Sequence, residues 1–216
     1  MYLYQKKRVL DAAMTLGLLT CFGYSFTGAG LHELIGVSLL AAIAGHLVMG
    51  RYGFRRSPAI ARRFDRKLSV FLYALMLFAL TGICVSSLML STCLPEGILP
   101  SIPAMVTPHR ICSILLFLCA GIHLGMHGDS LRATRRRKKP TQNAGRTRRL
   151  LRVLLLITAL YSMWAEHFFT RFWTAPQPLE AAPLFFWHYG MIFLFFAICG
   201  DFFSRRLKNH RRKLPA

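Results

Sequence analysis

His32 and His46 stand fourteen residues apart, and His109 and His123 repeat that spacing. Imidazole is the commonest metal ligand among the side chains, and it suits iron, copper and zinc. Two imidazoles on opposite faces of a haem make a six-coordinate iron. That state favours electron transfer over oxygen chemistry, because no coordination position stays open. Four histidines in two equal pairs are enough for two such sites.

That chemistry dictates the elements. On an α-helix fourteen residues fall roughly 40° short of four full turns and climb about 21 Å. The members of each pair therefore face the same way, one above the other. Each pair lies in an apolar stretch that reaches the ~20 residues needed to cross a bilayer. Two such helices side by side would hold two bis-histidine sites, one near each membrane face.

The composition agrees with a membrane setting. The 216 residues are 54% hydrophobic yet carry a net charge of +20, with a mean hydropathy of +0.41. The basic residues come in blocks between apolar spans, so orientation in the bilayer accounts for them and nucleic acid is not needed. Six spans are expected, near 9–28, 31–50, 68–91, 109–128, 150–169 and 184–203. The first lacks a small-residue cleavage site and is read as a span, not a signal peptide. Of the 28 Lys and Arg residues, all but Arg110 and Arg171 fall at the amino terminus, in the second and fourth connections or in the tail. Both termini are therefore expected on the cytoplasmic side. The fourth connection carries ten of the basic residues between Arg132 and Arg152, and its segment Arg135 to Arg149 is basic and polar and suited to anionic lipid headgroups.

An internal repeat relates the two pairs. His32 maps to His109 and His46 to His123 at one offset of 77 residues. Gly45-His46-Leu47-Val48-Met49-Gly50 aligns with Ile122-His123-Leu124-Gly125-Met126-His127, and Thr27-Gly28 is echoed by Thr81-Gly82. Each repeat is a helical hairpin with its histidines on the second helix. The two histidine helices then run parallel, pairing His32 with His109 at the outer face and His46 with His123 nearer the cytoplasm. The expected organisation is a four-helix dihaem core over 1–128, a basic loop over 129–149, and an added hairpin with a basic tail over 150–216. In that last hairpin His188 takes the outer position, but Phe202 stands where an inner ligand would fall.

Competing readings remain at several residues. Zinc binding or proton transport should bring clustered acids, and here the acids lie near span ends. A non-redox scaffold with structural histidines is the other class. His127, four residues past His123, shares its face and is an alternative inner ligand or a contact for a propionate or quinone. Glu33 and Arg110 each follow an outer histidine. Arg110 is a candidate propionate partner, or the two form a salt bridge at the lip. Arg51 is a weaker propionate candidate on the cytoplasmic side. Gly36, Gly45, Gly121 and Gly125 could give a macrocycle room. Glu166, His167 and His188, with Trp164, Trp173 and Trp187 nearby, form either an interfacial aromatic rim or a quinol or partner-docking site in which one of them takes a proton. His188 is also a candidate replacement for an outer ligand. The six cysteines include no Cys-x-x-Cys-His, so haem would be held without covalent attachment; Cys93 has no obvious disulfide partner.

The segments Leu31-His32-Glu33-Leu34-Ile35-Gly36 through Gly45-His46-Leu47, and Pro108-His109-Arg110 through Ile122-His123-Leu124-Gly125-Met126-His127, resemble known membrane cytochromes. Their ligand spacing is similar to that of respiratory cytochrome b and of ferric-reductase-type membrane domains. They resemble more closely the flavinylation-associated cytochrome family, over about residues 9–128. The resemblance implies an all-α protein of the bacterial cytoplasmic membrane that carries two non-covalent b-type haems. His32, His46, His109 and His123 would be the axial ligands. It also implies an extracytoplasmic redox partner bearing flavin, haem or an iron–sulfur cluster, with a quinone pool or cytoplasmic-side donor opposite. No nucleotide- or flavin-binding domain occurs in the chain, so it would act as a subunit of an oxidoreductase complex. The last two spans lie outside the resemblance.

Overall fold

A computed structural model of the chain describes residues 2–55, 64–91, 102–127, 144–170, 174 and 181–211. Among them there is no strand. The elements are α1 (Tyr2–Phe22), α2 (Tyr24–Arg55), α3 (Phe64–Leu90), α4 (Val106–Met126) entered through a 3-10 turn at Pro103–Met105, α5 (Ala144–Ala165) and α6 (Ala182–Arg211). Most of the expected basic loop, the proline-rich stretch before Pro103, Cys93, Arg171, Trp173 and the side chain of Arg51 lie outside the described residues.

Four helical segments are long and apolar enough to cross a membrane: Tyr24–Met49, Leu68–Leu90, Pro103–Met126 and Ala182–Arg206. They carry large apolar side chains on outward faces, among them Leu34, Val37, Leu47, Phe71, Leu77 and Phe78. Exposed apolar surface on that scale marks contact with lipid rather than water. The described residues are helical, with four helices of the length and apolarity that suggest a membrane protein. The expected spans at 9–28 and 150–169 come out shorter. The apolar part of α1 is only Val9–Phe22, because the helix breaks at Gly23. α5 stops at Ala165 and a turn carries Glu166 and His167, while Arg152 sits in its opening turns.

Gly28 breaks the start of α2, with φ 70° and ψ 176°. This region is open essentially to glycine alone. A Cβ there would meet nothing within 4 Å, so conformation and not space requires the glycine. The break lets the chain reverse after α1 and launches α2 as its antiparallel partner. Thr81-Gly82 plays a different role, in mid-helix: a Cβ on Gly82 would strike Cys112 Sγ across the α3–α4 contact. The Thr-Gly echo is thus not a structural equivalence.

α4 is the hub. It packs against α3 on one side and most extensively against α6 on the other, and α5 packs on α6. Phe117 of α4 is fully buried, with ring centroids of Phe22, Phe193 and Tyr189 at 4.7, 5.3 and 6.1 Å. Further along, the α4–α6 seam is lined by small residues. A Cβ on Gly125 would fall on the Ala197 carbonyl, and one on Gly200 on the Ile122 carbonyl. Gly121 and Gly125 are spaced as in small-residue membrane seams that bring backbones together. They therefore serve α6 and not a macrocycle, as their position two residues either side of His123 requires on a helix. The carboxy-terminal hairpin, set apart in the sequence, shares its core with α4.

Candidate functional site

α2 packs on α1 and does not lie closely against α3, α4 or α6 among the described residues. His32 of α2 and His109 of α4 meet across the space this leaves. His32 lies one turn beyond Gly28, and His109 lies in the first turn of α4. Their ring centroids are 6.1 Å apart with the rings at 67°. Two imidazoles bound to one metal from opposite sides, with metal–nitrogen bonds of roughly 2 Å and roughly 1 Å more to each ring centre, place the centroids about 6 Å apart.

The ring of His109 is held from α3. Its Nδ1 lies 3.0 Å from Ser86 Oγ and 3.4 Å from Ser87 Oγ. Ser86 in turn donates to the Gly82 carbonyl at 2.6 Å. The hydroxyl proton being so engaged, Nδ1–H donates to Ser86 and the Nε2 lone pair is left for a ligand, the usual outer-shell arrangement of a metal-binding histidine. On the other side the Tyr24 ring lies edge-on to His32 at 5.2 Å. His32 Nδ1 is buried, and the Cys21 backbone at the end of α1 lies within hydrogen-bonding reach of the ring. Gly36, one turn from His32, opens onto space in which a Cβ would meet nothing within 4 Å. Two facing imidazoles and an open glycine face fit an axially ligated macrocycle. Removing the anchor tests this: Ser86→Ala should weaken outer-site haem retention by about 10-fold to 100-fold, read as haem lost on dialysis against apomyoglobin, with the inner site unaffected.

The inner histidines are placed differently. His46 Nδ1 lies 2.9 Å from Asp11 Oδ1 of α1. Both atoms are buried, and the approach is short but not aligned as a hydrogen bond. His123 has the Tyr73 ring at 5.2 Å and His127 at 4.6 Å. His46 and His123 do not meet ring to ring. His127 is exposed at the end of α4, beside His123. The sequence reading missed Asp11, Ser86 and Tyr73. Asp11 carried a signal, as an acid within an apolar span; Ser86 and Tyr73 carried none.

The remaining candidates fall elsewhere. α6 runs parallel to α4, with Phe193 beside Phe117 and Ala197 beside Gly125. His188 is buried, with its Nδ1 2.9 Å from Ser162 Oγ of α5. It faces α5 and does not stand in for His32 or His109. Glu166 is buried in the turn after α5, while the neighbouring His167 is exposed with φ 45°. His127 lies at the opposite end of the bundle, so these four residues do not form one site. Glu33 accepts a hydrogen bond from Ser91 Oγ at 3.0 Å; Arg110 is half-buried beside His109. No three His, Cys, Asp or Glu side chains converge among the described residues, whereas a protein-built zinc site needs three or four.

No family model, curated protein or solved structure matches the chain.

Proposed function

We propose that the chain is a dihaem b-type cytochrome subunit that passes single electrons across the membrane, between a quinone pool or cytoplasmic-side donor and an extracytoplasmic redox partner. One observation carries the reading: the imidazoles of His32 and His109 face each other at a separation of 6.1 Å from two helices otherwise held apart. A bound haem would supply a reversible one-electron couple. The residues supply the rest. His32 and His109 bind at the outer level, and His46 and His123 at the inner one. Ser86 and Asp11 orient the rings from the first helix of each hairpin. Arg110 is placed to meet an outer propionate. The apolar faces of α2 and α4 exclude water and hold the two levels about 21 Å apart along each helix.

In this reading all six helices lie in the membrane, α1 and α5 with charged turns at the interface, and both termini are cytoplasmic by the distribution of basic residues. The subunit sits in a bacterial cytoplasmic membrane within an oxidoreductase complex. An electron crossing the full membrane potential exchanges about 2.3 kcal/mol per 100 mV, so the connection between levels bears on energy coupling.

Purified protein should give a reduced-minus-oxidised spectrum of b-type haem and a pyridine haemochrome ratio of two haems per chain. A preparation with haem supplied during expression that shows no Soret shift and no extractable haem would leave a non-redox scaffold or transporter.

A further inference from the structure

The third hairpin, α5 with α6, brings no imidazole to the outer pair, since His188 faces Ser162 of α5. It does hold the first hairpin. Among the described residues α1 meets the rest of the bundle chiefly through α6, while α2 packs on α1. The meeting point is the turn between α1 and α2. Phe22 sits between Phe117 of α4 and Tyr189 of α6, with ring centroids at 4.7 and 5.3 Å. Phe26 has Phe185 at 5.4 Å and Phe186 at 6.2 Å. Between the two in sequence is Gly23, where a Cβ would come within 2.7 Å of Phe186 Cζ. Tilted rings at these separations attract each other beyond the surface they bury. On the α6 side Phe185 and Tyr189 are buried and stacked at 4.4 Å, so the clasp is anchored in the core.

His32 goes where that turn goes. The Tyr24 ring lies edge-on to it at 5.2 Å, and the Cys21 backbone is within hydrogen-bonding reach. Past Gly28, α2 does not lie closely against α4, so the placement of His32 comes from the turn. His109 is placed separately, by α4 and by Ser86 of α3. The 6.1 Å between the two rings therefore depends on where α6 sets the turn.

We propose that the carboxy-terminal hairpin is the positioning platform of the outer site: Phe185, Phe186 and Tyr189 of α6 clasp the α1–α2 turn and hold His32 opposite His109. These are positioning residues, which act through the turn and not on the imidazoles. The role deepens the proposed function and rests on it, whereas the clasp itself can be read without any cofactor.

Two measurements on the purified full-length protein test this. A photoreactive p-benzoylphenylalanine placed at position 186 should cross-link to the segment 22–26, mapped by mass spectrometry of the digest. Phe26→Ala combined with Phe186→Ala opens the clasp and leaves Phe117 and Tyr189 in the core. The outer haem should then keep His109 and lose His32. Its ferric spectrum should pass from low-spin and six-coordinate to high-spin and five-coordinate. Added imidazole should restore the low-spin form, because it fills the position that His32 has left. Phe186→Tyr keeps the ring and should keep the low-spin form, and the cooperative unfolding transition should survive in both variants. If the double variant does not fold, Phe186→Ala alone is read in the same way. Absence of a cross-link to 22–26 would overturn the proposal. So would an outer haem that stays low-spin when the clasp is opened, or one that Phe186→Tyr turns high-spin to the same extent. A native protein that binds no haem would overturn the positioning role together with the proposed function, even where the cross-link forms. A native haem protein whose spin state ignores the clasp would overturn the positioning role alone.

Discussion

With the two haems proposed, replacing His46 or His123 with alanine should halve the haem content of the purified protein, from two per chain to one, and leave the outer couple's spectrum and midpoint in place. His32→Ala and His109→Ala should do the reverse. In the proposed arrangement, loss of an axial imidazole would remove one of two bonds that fix the macrocycle, and alanine offers no donor in its place. The outer pair is the sharper case, since its rings already stand 6.1 Å apart. The inner pair is more open, because His127 lies 4.6 Å from His123 on the same helix face. If His123→Ala keeps both haems and His123→Ala combined with His127→Ala loses one, the inner ligand is His127. If the inner haem survives the double replacement, the pairing of α2 with α4 at that level is wrong.

Gly125→Leu should destroy the folded bundle. Overpacking in a well-packed core usually costs about 1–3 kcal/mol, and that range assumes side chains that can move aside. Here a Cβ at residue 125 would fall on the Ala197 carbonyl oxygen, with the Ala197 carbonyl carbon at 2.7 Å and the Asp201 nitrogen at 2.9 Å. These are backbone atoms of a packed helix. Relief requires α6 to move away from α4 along the most extensive interface of the molecule. Thermal unfolding in detergent, followed by fluorescence, should show loss of a cooperative transition or a large fall in Tm. Gly190→Ala is the control: its added Cβ meets nothing within 4 Å, so native stability should be kept. Equal stability of the Gly125 and Gly190 variants would mean that α4 and α6 do not meet as described.

The two replacements separate binding from folding. His123 and Gly125 are neighbours in sequence but lie on opposite sides of α4. One side meets Tyr73 of α3 and the other meets α6. A periodicity argument places His123 and Gly125 about 200° apart, yet in the sequence Gly125 looked like part of the histidine motif. Short motifs in an apolar helix mix two faces, and only a partner helix shows which residue belongs to which. His188 shows the same ambiguity. Its place in the third hairpin matched that of an outer ligand, and the packing of α5 gave it Ser162 instead.

The sequence by itself determined that the chain is helical, that its helices have the length and apolarity of membrane spans, and that its histidines line two helices at equal spacing. Each follows from local rules: hydrophobic length, the 3.6-residue period and the positions of Gly28 and the basic blocks. It also set the outer histidines at the start of their helices, because the chain breaks just before each. What only the tertiary structure decided is which groups touch those histidines. Ser86, Asp11 and Tyr73 come from the first helix of each hairpin, 23, 35 and 50 residues from the rings they meet. Such contacts depend on the rotation of one helix about its axis relative to the next. That rotation is fixed by packing, by Gly82 against Cys112 and Gly125 against Ala197, and sequence spacing alone does not contain it.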